Sequence, residues 1–499
     1  MTIYSINKGI GWSSSGVEYA QLYRAKVFRK LGVKCKFIFT DLIVEDNIGD
    51  LVENIGFRSS EVIWLYMFFT DFSISKSTFS LSQFEKTIPS RIIHQNKAGN
   101  VVRYTMTDGT CAIVHLVDSE TDILKNVEFS FENKVCRKDF YSYKKYMTEY
   151  YQWDGDRRVL VQRVFYNTNG TVAYTETLRS DGDSLFSIGG NIVLTKESLV
   201  GLMLRGLNLV DTDLILLDRS TGIGQAVVEN KSTARLGCVI HAEHFNEQAT
   251  DEQHVLWNNF YEYQLQHSDF FDFYITATDI QKNILSQQFL KYRKRKCKVY
   301  SIPVGNIDRI QRHDIQKKAF ISVSRLAPEK HIDWLVEAFI RAHDINNDIT
   351  LDIYGEGSEK KKIQKIINDN GASDYIKLRG HHRMSDTYRH YSIYISASTS
   401  EGFGLTLMEA LGCGLAFVGF DVRYGNRNFI KNKKNGLLVK YSMNDSDDIT
   451  TSKLSQAITK LMMENISDYS DFSYRLAERY EIGNVQNQWR NLLELEKIK

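Results

Sequence analysis

Proline is scarce in this chain: 499 residues include 3, at Pro89, Pro303 and Pro328. A proline-rich linker or stiff extended stalk is therefore excluded. The 6 cysteines (Cys35, Cys111, Cys136, Cys238, Cys297 and Cys413) are scattered and form no C-x-x-C pair. That argues against a zinc site or a disulfide framework and predicts a reducing compartment. Neither sign of charge is in excess, with Lys+Arg 63 against Asp+Glu 61. The polycationic footprint of a nucleic-acid binder is missing, so no nucleic-acid partner is expected. Long apolar runs are also missing, and the longest, residues 62–69, is too short to span a bilayer as a helix. Residues 1–9 have neither a basic n-region nor a long apolar stretch, so no secretory signal is expected and the cytoplasm is the expected location.

What is present is ordinary globular material, 42% hydrophobic and 25% charged, in a length that suggests about three domains. Three textures follow one another. The first has a strand at 3–6, a Gly/Ser turn at 9–16, a helix at 17–31 entered by a Ser15-x-x-Glu18 capping box, and a strand at 35–40. This is the β-loop-α-β opening of a doubly wound sheet. The second, 46–199, alternates apolar and polar residues between hairpin signals: Asp108-Gly109, Asn169-Gly170, Asp181-Gly182 and Gly189-Gly190. It predicts an inserted antiparallel β-meander. The third resumes α/β alternation, with strands at 214–218, 236–241, 273–277 and 299–304. A second α/β unit then has strands at 319–323, 350–354, 376–378, 393–396 and 416–420. The expected domains are 1–45 with 200–312 (Rossmann-like), 46–199 (the meander), 313–482 (Rossmann-like) and a polar C-terminal helix at 483–499. Two doubly wound domains place a cleft between the carboxyl ends of two parallel sheets, where ligands bind.

The strongest motif is Ser400-Glu401-Gly402-Phe403-Gly404-Leu405-Thr406-Leu407-Met408-Glu409, between a strand and a helix. Its glycines let backbone N–H groups approach a phosphate at the helix start. The two glutamates are eight residues apart, about 12 Å along a helix. Carboxylates accept several hydroxyl donors, so one suits a sugar and the other a ribose diol. Arg325 and Lys330 follow the first strand of the same domain and suit a diphosphate, one as a fork and one as a point charge. Gly355 (in Tyr354-Gly355-Glu356-Gly357) and His381 (in Gly380-His381-His382) end the next two strands. The first reads mainly as a turn, and the second as a polar loop or a bracket for a base. In the first domain, Gly9-Ile10-Gly11 edges the cleft. His241-Ala242-Glu243-His244 ends a strand. It lacks a third metal ligand at a familiar spacing, so His241 suits a sugar hydroxyl better than a metal. Asp154–Asp156, Asp181–Asp183 and Asp211–Asp213 are D-x-D triplets that read as turns and loops. The basic segment 291–296 reads as a solvated helix end, or as a patch for an anionic membrane surface.

Glu401 with Glu409, Arg325 with Lys330, and the glycine loop together resemble the retaining GT-B glycosyltransferases of the family 4 type. Residues 9–20 (G-I-G-W-x-S-S-G-V-E-Y-A), His241–His244, residues 399–409 and the β insertion are more specific. They resemble the catalytic-subunit family of the accessory-Sec glycosyltransferases, which start O-glycosylation of serine-rich repeat adhesins. The resemblance spans essentially the whole chain. It implies a GT-B fold and a UDP-sugar donor, UDP-N-acetylglucosamine or UDP-glucose, with no metal or other cofactor. It implies a Ser/Thr acceptor in an adhesin polypeptide and, as partner, a homologous non-catalytic glycosyltransferase subunit. Peripheral membrane contact is left open. The catalytic residues it implies are His241, Arg325, Lys330 and Glu401. Donor binding would fall to Gly9, Gly11, Ser14, Ser15, Gly16, Gly355, His381, Gly402, Phe403, Gly404, Leu405 and Glu409. One departure is Ala416, where the family usually has proline. The alternative readings are a wall-teichoic-acid glycosyltransferase and a non-catalytic binding or chaperone subunit.

Overall fold

The computed structural model describes every residue except 13–15, 180–181, 314–318, 383, 385 and 499. The Ser15 capping box and Ser14 lie outside the described residues. Seven strands form a parallel sheet in the order Val299–Ser301, Phe273–Thr276, Arg235–Ile240, Leu214–Leu217, Ile3–Asn7, Cys35–Phe39, Val62–Trp64. Strand order reverses at Ile3–Asn7, whose Ile3 faces Leu214 on one side and Cys35 on the other. Helices cover both faces, so a strand such as Leu214–Leu217 is buried at every residue and reads as an unbroken apolar run. The switch point puts the residues after Asn7 and after Leu217 side by side at the sheet's carboxyl edge.

An insertion beginning at 46 would take in the helix Ile48–Ile55 and the strand Val62–Trp64. That strand instead pairs with Cys35–Phe39 and forms the edge of the parallel sheet. Its residues lack the alternation of a meander because they are packed between layers. The antiparallel sheet itself has ten strands in sequential order, from Ile92–Ala98 to Asn191–Leu194. Gly109, Gly170, Gly189 and Gly190 all have positive φ at its turns. Glu132 and Asn133 also turn with positive φ, without glycine, which is why the strands Leu124–Phe131 and Lys134–Tyr141 carried no hairpin signal. Asp154–Asp156 is a hairpin turn, with Asp154 paired to Arg157. The meander does not stand apart: Phe140, Tyr146, Phe165 and Tyr174 share one core with Trp64 and Tyr66 of the first domain. Phe165 stacks on Tyr174 at 4.3 Å, and the Tyr174 hydroxyl donates to the Tyr66 carbonyl.

The second domain has a six-stranded parallel sheet in the order Ile376–Gly380, Thr350–Tyr354, Ala319–Val323, Ile393–Ser396, Ala416–Phe420, Gly436–Val439. Its switch point lies between Ala319–Val323 and Ile393–Ser396. The helix Ile332–His343 buries Leu335, Val336 and Phe339 against this sheet's core. Ala416 donates its N–H to the Ser392 carbonyl at 2.9 Å, a bond that proline cannot make.

The chain crosses between domains twice at one place, where Ile307 bonds the main chain of both Tyr480 and Ile482. The last helix, Ile482–Leu495, is not polar all round. Val485, Trp489, Leu492 and Leu493 form an i, i+4, i+7, i+8 stripe buried with Val27 and Phe28 of the first domain. Phe28 and Trp489 meet edge to face at 5.0 Å. The C-terminus is thus a strap that returns to the N-terminal domain.

Candidate active site

Lys330 closes a short 3-10 turn, Pro328–Lys330, just beyond the strand Ala319–Val323. Its Nζ donates to Glu401 Oε2 at 2.7 Å, and both side chains are largely shielded. Arg325 instead lies exposed on Glu329 at 3.0 Å. Exposed pairs of this kind contribute about 0–1 kcal/mol, so an arriving anion competes for Arg325 at little cost. Gly355, with φ 140°, packs on the Arg325 loop: a Cβ there would fall 1.8 Å from the Ser324 carbonyl oxygen. This glycine is explained by loop packing. His381 is exposed at the end of Ile376–Gly380.

The Glu401 loop is tightly built. Gly404 has φ 87° and leads into the helix Leu405–Gly412. Because that helix starts at Leu405, Glu409 sits little more than one turn inside it, nearer the loop than a wholly helical spacing would place it. The Phe403 ring is buried against Phe429 at 5.0 Å, which leaves only its main chain for a ligand. Leu405 packs towards Gly305, where a Cβ would fall 2.5 Å from Leu405 Cδ2. Gly402 faces the other domain: a Cβ there would lie 2.5 Å from the His241 carbonyl oxygen. Glu409 accepts from the Tyr23 hydroxyl of the first domain at 3.0 Å and from Tyr388 of its own domain at 3.1 Å. Burial pushes its carboxyl above the ordinary value, against the opposing pull of these two hydroxyls.

His241 follows the strand Arg235–Ile240, and its ring Nε2 lies 2.7 Å from Asp218 Oδ1. Asp218 ends the neighbouring strand and is fully enclosed. Arg24 grips it through two bonds of 2.8 and 2.9 Å, and Ser5 and Gln21 also donate to it. Burial alone would raise this carboxyl, but the Arg24 guanidinium and the His241 bond outweigh burial and hold it well below the usual range. The Tyr261 hydroxyl accepts from the main-chain N–H of both His241 and Ala242, fixing the strand end. His244 is wholly buried and bonds Gln288 at 2.7 Å; burial lowers its pKa to about 4. His241 and His244 therefore face different surroundings and do not converge on one point. Among the described residues no group of three or more His, Cys, Asp or Glu is arranged to hold a metal ion. Gly9 and Gly11 line the loop beyond Ile3–Asn7, and Gly16 starts the helix Gly16–Leu31.

The structure thus brings Lys330, Glu401, Gly402 and His241 together at facing sheet edges, with Glu409 bridging the domains through Tyr23. Asp218, Arg24, Tyr23, Tyr388 and Tyr424 escaped the sequence reading. The one available signal was a charged residue, Asp218, directly after an all-apolar strand.

Two doubly wound domains whose strand ends face each other across such a cleft define a GT-B glycosyltransferase, and the family described as Glycosyl transferases group 1 matches residues 305–473. The GtfA extended beta-sheet domain matches residues 94–190, within the meander. The chain is 46% identical over 98% of its length, and 97% of the relative's, to the UDP-N-acetylglucosamine--peptide N-acetylglucosaminyltransferase GtfA subunit of Streptococcus agalactiae. It superposes on the pneumococcal O-GlcNAc transferase GtfA, crystallised in complex with UDP and GlcNAc, with a TM-score of 0.95 at 43% identity and 99% coverage of both chains. A GtfA/B complex matches with a TM-score of 0.93 at 43% identity over 100% of both chains. The chain belongs to the GtfA-subunit family of peptide N-acetylglucosaminyltransferases.

Proposed function

We propose that this chain transfers N-acetylglucosamine from UDP-N-acetylglucosamine to Ser and Thr hydroxyls of a serine-rich repeat adhesin, in partnership with a homologous, non-catalytic second subunit. The observation that carries the proposal is the Lys330–Glu401 pair set against His241 across the cleft, in a chain that matches GtfA subunits end to end.

The residues divide the chemistry between them. Lys330 and Arg325 neutralise the diphosphate as it leaves. Glu401 holds the donor sugar, His241 contacts a sugar hydroxyl, and Glu409 accepts the ribose diol. The main chain of residues 402–405 presents N–H groups to phosphate, with the loop around Gly9 and Gly11 opposite. As the anomeric C–O bond to the β-phosphate breaks, negative charge grows on the phosphate oxygens. Cations fixed in a closed cleft stabilise that charge without reorganising. The acceptor hydroxyl attacks from the same face and passes its proton to the departing phosphate, so the anomeric configuration is retained. We place the protein in the cytoplasm, with the unfolded adhesin and the partner subunit.

The test is the intact mass of a purified serine-rich repeat peptide after incubation with this chain, with and without the partner subunit, and with UDP-N-acetylglucosamine or UDP-glucose in parallel. Added mass of N-acetylhexosamine units on Ser/Thr supports the proposal. Added hexose alone would correct the donor. No added mass from a folded protein in the presence of the partner subunit would overturn the polypeptide acceptor and favour a polyol-phosphate one.

A further inference from the structure

Tyr424 follows the strand Ala416–Phe420 of the second domain and is fully buried, yet its hydroxyl bonds the first domain. It donates to Glu243 Oε1 at 2.5 Å and lies 3.3 Å from His244 Nδ1. Glu243 and His244 lie two and three residues after His241 in the chain. His244 is itself fixed, because its Nε2 bonds Gln288 and its ring stacks between Tyr424 and Trp257. The other end of Tyr424 is tied to the donor-sugar loop. The N–H groups of Tyr424 and Gly425 both donate to the Glu401 carbonyl, at 2.7 and 2.9 Å. Gly425 allows this approach, since a Cβ there would fall 2.2 Å from the Phe403 carbonyl oxygen. Neighbouring Arg423 adds a bond to Glu247 at 2.9 Å.

We infer that Tyr424 is a positioning residue for the transfer reaction: by bonding Glu243 through its hydroxyl and Glu401 through its main chain, it fixes Glu401 relative to His241 across the cleft. The inference rests on the function proposed above. Its physical basis is a rigid relay. Gly402 touches the His241 carbonyl on one side of Glu401, and Tyr424 clamps the Glu401 main chain on the other. A hydroxyl-to-carboxylate bond shielded from water is stronger than a neutral one, so the ring acts as a strut. Because Arg325, Lys330 and Glu409 lie on the second domain whether or not the strut holds, it governs alignment of the sugar more than capture of the nucleotide.

The experiment compares wild type with Tyr424→Phe, Glu243→Ala, Glu243→Gln and the double variant Tyr424→Phe/Glu243→Ala. Turnover of UDP-N-acetylglucosamine is followed with the repeat peptide and the partner subunit, UDP affinity by calorimetry and folding by thermal melt. Tyr424→Phe keeps the ring, its stack on His244 and its main-chain bonds. Its kcat is expected to fall at least about tenfold, as small misalignments do, with UDP affinity unchanged. Glu243→Ala should match it, the double variant should be no worse than either single, and Glu243→Gln, whose amide oxygen still accepts, should restore turnover. Wild-type kcat in Tyr424→Phe overturns the inference. So do losses that add in the double variant, or a kcat loss that tracks equal losses of UDP affinity and melting temperature. A wild type that binds no UDP and turns over no UDP-N-acetylglucosamine would instead overturn the function itself, and this inference with it.

Discussion

Lys330 Nζ and Glu401 Oε2 meet at 2.7 Å, so the cation suited to the leaving diphosphate and the carboxylate suited to the sugar are already in contact. Each orders the other, because the ion pair is partly shielded and hence weakly screened. Lys330→Ala removes charge stabilisation that matters most in the transition state, and Glu401→Ala removes the sugar's anchor. Each is expected to lower transfer at least about a hundredfold in a folded protein. Steady-state kinetics beside a thermal melt would check this, and near-normal turnover in either variant would refute the site.

Gly402 is a point of close approach between the domains. Gly402→Ala would place a methyl group 2.5 Å from the His241 carbonyl oxygen, and the obstacle is backbone that cannot swing away. The cleft must open or the Glu401 loop must shift. Turnover is expected to fall at least about tenfold from the resulting misalignment, while UDP, held by the second domain, still binds. Wild-type kcat in this variant would show that the contact is dispensable.

The ribose-binding role proposed for Glu409 predicts a pH dependence of nucleotide binding. Its carboxyl is raised by burial from an ordinary 4.5, whereas a ribose diol needs the ionised form to accept both hydroxyls. UDP affinity should therefore weaken on acidification at a pH above the ordinary carboxylate value. Glu409→Gln should bind more weakly at neutral pH and lose this component of the profile. For the free protein the sign is opposite. A raised folded-state pKa means that the native state binds the proton more tightly, so this group's contribution to stability declines as pH rises through that range. Calorimetric titration of UDP into both proteins between mildly acidic and neutral pH separates the Glu409 contribution from the titration of UDP itself.

Asp218 and Arg24 form a buried pair beneath His241. Asp218→Ala leaves the guanidinium buried and uncompensated, which costs about 3–5 kcal/mol. Chemical denaturation should report that loss. In the native protein the depressed Asp218 pKa works in the other direction from Glu409: its stabilisation is present at neutral pH and disappears as pH falls below the ordinary 3.8. A melt of the variant that matched wild type would show that the pair contributes nothing.

Much of the fold was legible because buried parallel strands and meander hairpins carry different local signals. Leu214–Leu217 is apolar throughout, while Val101–Met106 alternates around a turn with a positive-φ glycine. The strand Val62–Trp64 misled because an edge strand after a long α/β loop lies next to meander sequence. The C-terminal helix misled because the four residues of its apolar stripe are diluted by Asn, Gln and Glu, although their spacing marks one face. Gly355 reads mainly as a turn, and its geometry adds a close backbone contact with Ser324.

The amino-acid sequence by itself determined the two doubly wound units, the meander, and the residue types able to bind a diphosphate and two sugars, because these depend on periodicity, turn chemistry and motifs within a few residues. Only the tertiary structure decided which of them meet. Lys330 with Glu401, Gly402 with His241, Tyr23 with Glu409 and Tyr424 with Glu243 are separated by 71 to 386 residues in the hydrogen-bonded cases. Contacts of that range arise from strand pairing within the second sheet, for Lys330 with Glu401, and from the packing of one domain on the other for the rest, which no local pattern encodes.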